Sequence, residues 1–286
     1  MKTPTTVQRI LLVVLGILTV IIISLDVAVL RAFFVNPDDI HVTYRTTRNA
    51  KLPSSLDPIS VVYISDLEYG EFETPERAQA LFTKINELNP SLFLFGGDLF
   101  AQDAEVDENM KAAMTELLSS IHAPLGKFAV LGEQDTFSDS RKNMVTSVLK
   151  AADVEVLEDT SRLITNRSSA SFQLYGMALE PDYAAAAESI SNNQFSLLFT
   201  HYPDNLISDE LRQNPPSLAL AGNAHGTQIT WPLFGGYRQW PGSTQFNRAK
   251  QVNTGFETYL TSGTGCINLN ARLNSPVEIV YLLITR

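Results

Sequence analysis

Only one of the 286 residues is cysteine, Cys266, so neither an intramolecular disulfide nor a cysteine-built zinc cage is available. No run of lysines or arginines occurs and the formal net charge is −10, so a nucleic-acid backbone is not an expected partner. No internal repeat, low-complexity tract or domain-sized linker interrupts the chain. With 44% apolar and 18% charged residues, the disordered and collagen-like classes are excluded. The length is ample for a sizeable core.

What is present begins with one long apolar run. Ile10–Leu30 reads ILLVVLGILTVIIISLDVAVL, with Asp26 as its only charge. At about 1.5 Å per residue it spans roughly 30 Å, the thickness of a bilayer's hydrocarbon core. A cleaved signal peptide is the rival reading, but its apolar region is only about 7–15 residues and ends in a small-x-small site. Ile10–Leu25 stays uncharged and no clean Ala-x-Ala follows. An uncleaved anchor is therefore expected. Lys2 and Arg9 favour a single-pass cell-membrane topology with the N-terminus inside and the body outside, against the opposing weight of Arg31, Arg45, Arg48 and Lys51. Asp26 is expected at the outer interface. The expected boundaries are 1–9 cytoplasmic, 10–30 anchor, 31–56 a stalk with one early strand at His41–Tyr44, and 57–286 a single domain. Without Met1–Arg31 the remainder has 18 basic and 30 acidic residues, net −12, so charge alone does not draw it to anionic lipid.

Beyond the stalk, short apolar runs alternate with amphipathic stretches. The runs are ISVVYIS (59–65), SLFLF (91–95), KFAVL (127–131), FSLLF (195–199) and SLALA (217–221). Between them, PERAQALFTKINEL, VDENMKAAMTELLSSI and SRKNMVTSVLKAA carry apolar residues at helical spacing. Continuously apolar strands alternating with helices predict a layered α/β domain with strands buried on both faces. The strand and turn signals of TYLTSGTG and PVEIVYLLITR predict a second sheet.

Ligands of open α/β sheets bind beyond the carboxyl ends of the strands. The five runs are followed by Asp66-Leu67-Glu68, Gly96-Gly97-Asp98, Gly132-Glu133-Gln134-Asp135, Thr200-His201 and Gly222-Asn223-Ala224-His225. Singly, such residues are caps or turn formers. Five in register converge on one rim. Asp66, Glu68, Asp98, Glu133, His201, Asn223 and His225 form an oxygen-rich set with two imidazoles. That set suits two divalent ions, Mn or Mg ahead of Fe or Zn. Its packed carboxylates need cations to remain ionised together, and a bridged pair of ions is a clamp for attack on phosphorus.

At these positions the chain resembles the calcineurin-like metallophosphoesterases, and most of all their membrane-anchored or exported bacterial branch, similar to UDP-2,3-diacylglucosamine hydrolases. The family pattern is Asp-x-His, Gly-Asp, Gly-Asn-His-Asp, His and Gly-His-x-His, and the likeness runs over about residues 56–286. The resemblance implies an α/β/β/α sandwich and hydrolysis of a phosphomonoester or phosphodiester by a metal-bound hydroxide, and the expected anchor points to an envelope or lipid-linked ester. It assigns Asp66, Asp98, His201 and His225 to metal and makes Asp135 the support of the catalytic position. Four positions depart. Glu68, Glu133 and Asn223 stand in place of His, Asn and His but still offer oxygen. Gln134 stands in place of the catalytic histidine and cannot deliver a proton, a loss of about 10²–10⁴-fold. A catalytically degenerate member, kept as an anchored binding or regulatory protein, is the alternative implied.

Other residues carry less. His122 reads as a cap or solvated side chain, His41 as a strand-face residue and Cys266 as buried filler. Trp231, Phe234, Tyr237 and Trp240 either line a groove for an acyl chain or sugar or pack as a loop. Asn166-Arg167-Ser168 matches a glycosylation acceptor with no eukaryotic context to support it.

Overall fold

The computed structural model of the chain describes residues 5–166, 170–231, 235–248 and 250–286. Phe234, Arg167 and Ser168 lie outside the described residues. The first helix, α1 (Thr6–Phe34), begins where Thr5 accepts from the Gln8 amide and the Gln8 side chain accepts from the Thr5 amide, a reciprocal cap. Its 29 residues are about 43 Å long, and its apolar side chains from Val7 onward are exposed apart from half-buried Ala28 and buried Ala32. It is long and apolar enough to cross a membrane. One three-residue turn, Asn36–Asp38, leads from it into the body.

The body contains β1 (Ile40–Arg48), β2 (Ile59–Ile64), α2 (Pro75–Leu88), β3 (Leu92–Phe95), α3 (Glu108–Ser119), β4 (Lys127–Ala129), α4 (Glu133–Thr136), α5 (Asp139–Ala151), β5 (Glu155–Val156), β6 (Thr160–Ile164), β7 (Phe172–Gly176), α6 (Tyr183–Ser189), β8 (Ser196–Thr200), α7 (Asp209–Gln213), β9 (Leu218–Ala221), β10 (Thr230–Trp231), β11 (Gly235–Gly236), β12 (Thr258–Leu260) and β13 (Val277–Thr285). Side-chain caps start the long helices: Thr74 for α2, with Pro75 at its first position, Asp107 for α3 and Ser138 for α5.

The strands form two large sheets, ordered β1-β13-β2-β3-β4-β5 and β12-β9-β8-β7-β6. Strands β2 to β5 are mutually parallel, as are β7, β8, β9 and β12. Alternation along each strand sends neighbouring side chains to opposite faces. Val61 and Tyr63 of β2 face Phe172, Leu197, Phe199 and Leu220 between the sheets. Val62 and Ile64 face Leu81, Phe82, Leu118 and Val148 of the helical layer. On the far side, Leu198 and Ala219 meet Ala186 and Leu211 of α6 and α7. The result is the expected α/β/β/α sandwich, and burial on both faces explains why the strands read as unbroken apolar runs.

Two features differ from the sequence reading. The expected stalk, 31–56, carries the nine-residue β1, paired with β13 from Ile40 opposite Val277 to Arg48 opposite Thr285. It covers β13, which would otherwise be a bare edge strand. Strand β7 lies in the middle of the second sheet, yet its FQLYG stretch was not among the five runs.

Phe199 is fully buried between the sheets on β8. Phe199→Ala is expected to lower unfolding free energy by about 3–5 kcal/mol, read from the urea midpoint in detergent. A loss below about 1 kcal/mol would contradict this packing.

Candidate metal centre

The carboxyl ends of β2, β3, β4, β8 and β9 meet on one rim, and the loops leaving them are tied to one another. Asp66 N donates to Gly97 O at 2.9 Å, Glu68 N to Asp98 O at 3.1 Å and Gly222 N to His201 O at 3.2 Å. Asp66, Glu68, Asp98, Asn223 and His225 all sit at positive φ, between 45° and 59°. Side chains other than glycine rarely hold that region, at about 1–3 kcal/mol each, unless their surroundings enforce it, and such positions concentrate at functional sites. Gly97 shows why the rim is so close: at φ +98°, an added Cβ would lie 2.6 Å from Gly132 N and 2.8 Å from His201 Nδ1.

Within this rim Asp66, Asp98 and His201, all buried, offer ligand atoms within 4.8 Å of one another. His201 Nε2 lies 2.8 Å from Glu133 Oε2 and 3.3 Å from Asp98 Oδ2, and its Nδ1 lies 2.6 Å from Gly96 O. His225 Nε2 lies 3.6 Å from Asp66 Oδ1. Both Asp66 oxygens accept from the Asn223 amide, at 2.9 and 3.1 Å. Asn223 Nδ2 donates to Pro241 O at 2.6 Å, which orients its side chain. The nine expected site residues are thus gathered at one place, with different tasks. Asp135 accepts from the amides of Asp98 (2.7 Å), Gly132 (3.0 Å) and Leu99 (3.0 Å), so both its oxygens are occupied by backbone. Gln134 donates its own amide to Asp98 Oδ1 at 2.9 Å.

Charge makes the rim unstable when left alone. Burial lifts Asp66 to about 6 and Asp98 to about 8. Glu68 is pushed well above the carboxylate range by burial and by Asp98, Asp66, Glu133 and Asp135. Burial opposes a charge on His201, but Asp98 and Glu133 override it and hold the ring protonated. His201 in turn outweighs burial at Glu133 and keeps that carboxyl low. Burial, then Arg272, pushes His225 well below its ordinary value.

Comparison with known proteins returns no matching family model. The chain is 24% identical over 252 residues to an uncharacterized metallophosphoesterase, YkuE of Bacillus subtilis, covering 87% of this chain and 86% of the relative. It is 27% identical over 180 residues to phosphodiesterase YaeI of Escherichia coli, covering 62% and 64%. It is 28% identical over 243 residues to UDP-2,3-diacylglucosamine pyrophosphatase LpxG of Chlamydia trachomatis, covering 66% and 72%. The chain is thus similar, over much of its length, to proteins named as metallophosphoesterases, in line with the resemblance read from its strand ends. Its relatives are hydrolases of phosphate esters, and its sandwich and rim are consistent with that chemistry.

The rim of this protein fits divalent metal. Glu68 Oε1 and Asp98 Oδ2 are buried acceptors with no hydrogen-bond donor, and neither ring nitrogen of His225 has a partner. Buried carboxylates in excess of the one protonated imidazole need a cation. Asp66, Asp98 and His201 would hold it, with Glu68, Glu133, Asn223 and His225 as further donors.

Three further residues adjoin the site; of these the sequence marks only Trp240, among its loop aromatics. Tyr202 stacks its ring 5.5 Å from His201. Trp240 places its ring 5.7 Å from His225 and is buried, so it packs on the site rather than lining an open groove. Arg272 is fully buried and donates to the carbonyls of Ser262 (2.9 Å), Pro276 (3.0 Å), Ser275 (3.1 Å) and Gly265. It thereby braces the loop in which Thr264 N and Gly265 N donate to Ser65 O and Asp66 O. The Arg272 amide also donates to Ala32 O at 2.9 Å, and Asn36 Nδ2 donates to Arg272 O at 2.7 Å, linking the foot of α1 to the rim.

A pH dependence follows. Groups whose folded values are raised contribute stability below their unfolded values and lose it as pH climbs through the folded ones. Asp98, Glu68 and His201 are raised, so their contribution falls as pH rises toward and past about 8. His225 is lowered and acts oppositely, but only below its ordinary 6.5. The metal-free protein is therefore expected to lose thermal stability from pH 6.5 to 8.5, and Mn²⁺ to reverse the slope. Melting curves across that window check it; a rising metal-free midpoint would contradict it.

Proposed function

We propose that this protein is a membrane-anchored, metal-dependent phosphoesterase acting on an envelope or lipid-linked phosphate ester, through a dinuclear site altered at four positions. The observation that carries the reading is the buried meeting of Asp66, Asp98 and His201 from three strand ends in two sheets. On this reading Asp66, Glu68, Asp98 and His225 hold one ion, and Asp98, Glu133, His201 and Asn223 the other. The ions supply Lewis-acid activation of water and of the phosphoryl oxygen. The residues of the chain do the rest. Asp98 is shared, its Oδ1 fixed by the Gln134 amide. Gln134 binds a phosphoryl oxygen through its side-chain amide without protonating the leaving group. Asp135 is a positioning residue, holding the backbone of Asp98, Leu99 and Gly132.

The anchor reading rests on α1, with the N-terminus inside and the phosphoesterase domain, 57–286 with β1 joined to it, outside. The link from Ala32 and Asn36 through Arg272 to the rim supports a site standing close to the bilayer surface, within reach of a lipid-linked ester. LpxG carries the name of a pyrophosphatase of a diacylated sugar nucleotide, which agrees with that substrate class.

A second reading, a degenerate member that binds without turnover, is favoured by Gln134 at the position that the resemblance gives to histidine. One experiment separates the two. The full chain in detergent with Mn²⁺ should hydrolyse bis(4-nitrophenyl) phosphate, and a chelator should stop it. Alkyl diesters, whose leaving groups need a proton, should react about 10²–10⁴-fold more slowly. Hydrolysis that persists in chelator, or none with any metal, defeats the phosphoesterase reading.

A further inference from the structure

The chain's 31 acidic residues are unevenly placed: none falls between Leu211 and Phe256, while Arg212, Arg238, Arg248 and Lys250 do. This segment supplies Asn223 and His225 to the metal rim, and its residues 240–242 pack against the rim. Pro241 O takes the Asn223 side chain, and Gly242, at φ +77°, lies so close to the Tyr202 ring that a Cβ could not fit. Asp204 secures the next turn by accepting from the amides of Thr244, Gln245 and Phe246. The wall so held presents two groups that the phosphoesterase reading leaves without a task. Trp240 is 95% buried beside His225, with its indole N–H lacking any acceptor. Arg238 is exposed, stacks its guanidinium 4.4 Å from the Trp240 ring centroid, and has no carboxylate partner among the described residues. Arg212 and Arg248 each have one.

We propose that Arg238 and Trp240 form an anion subsite beside the metal rim, and that the substrate is a phosphate ester carrying a second anionic group next to the scissile phosphoryl. This rests on the phosphoesterase reading and adds the recognition element to it. The physical case is one of complementary charge. The rim itself is rich in carboxylate, so an incoming dianion gains little from the protein around it beyond the ions. A guanidinium presents a planar fork matched to phosphate or carboxylate oxygens. Stacking on Trp240 holds the fork in place before the ligand arrives, so less side-chain freedom is lost on binding. The Trp240 ring, itself packed beside His225, sets that fork next to the metal rim.

The test uses the full chain in detergent with Mn²⁺ and follows Trp fluorescence and calorimetry. The probes are methylphosphonate, with one anionic group, methylenediphosphonate, with a second phosphonate, and phosphonoacetate, with a carboxylate in its place. The wild type should bind the two bifunctional probes at least tenfold tighter than methylphosphonate. R238A should cut that preference about tenfold, and R238K should leave it intermediate, since the charge stays while the fork and stacking are lost. A larger effect for methylenediphosphonate than for phosphonoacetate identifies the second group as phosphoryl, and the reverse identifies it as carboxylate. The same KM-specific loss should appear with a nucleoside diphosphate ester, exceeding any change seen with bis(4-nitrophenyl) phosphate. If the wild type hydrolyses the aryl diester but R238A leaves the probe preference unmoved, the subsite is refuted and the phosphoesterase reading survives. If the wild type neither binds the phosphonates nor hydrolyses the diester, both fall.

Discussion

Asp98→Asn is expected to reduce Mn²⁺-dependent hydrolysis of bis(4-nitrophenyl) phosphate about 10³-fold or more while making the metal-free protein more stable. The two effects share a cause. Asp98 is held at one oxygen only, with Oδ1 receiving the Gln134 amide and Oδ2 facing His201 without a hydrogen bond. Its charge is useful only when a cation arrives, and burial lifts it to about 8 in the cation's absence. Removing the charge takes away a shared ligand, worth several kcal/mol of transition-state stabilisation. It also relieves roughly 1–3 kcal/mol of buried-charge penalty at neutral pH in the empty site. Activity assays and metal-free melting curves on one preparation check the pair. A variant that keeps its turnover would remove Asp98 from the metal, and one that loses stability would mean that the carboxylate is structural.

Gln134→His is expected to act in the opposite direction. It restores a group able to protonate a leaving alkoxide, so turnover of alkyl diesters should rise about 10²-fold while aryl diesters change little. The low end of the range is expected because Asp135, the residue that would orient such a histidine, already gives both oxygens to backbone amides. A pH profile gaining a limb near the imidazole value would mark the new acid. An equal rise for aryl and alkyl esters would show that the substitution works by geometry instead.

The layers and the rim were readable because burial imposes simple patterns. Continuous apolar runs mark strands covered on both sides, and α2 occupies the stretch PERAQALFTKINEL end to end. Polar residues following each run were informative because parallel strands of a sheet end on one edge. Where pairing rather than pattern decides, the reading stopped short. Strand β1 is defined by its register with β13, far along the chain, and β7 by its place between β6 and β8. Tyr202 against Gly242, Trp240 against His225 and Arg272 against Ala32 are contacts between separated segments, and the local sequence carries no sign of them. Asp135 is instructive in another way. The resemblance makes it the support of the catalytic position, and its oxygens accept from three backbone amides, because a buried loop must satisfy its own N–H groups.

The most direct measurement is a calorimetric titration of Mn²⁺ into the metal-stripped full chain at pH 7 and pH 8. Saturable binding at the rim is expected, tighter at the higher pH and accompanied by proton release, because the ion displaces protons from Asp66, Asp98 and Glu68; Asp66→Asn combined with Asp98→Asn should abolish it. Binding that is absent, or that survives both substitutions, would contradict a metal centre built on these residues.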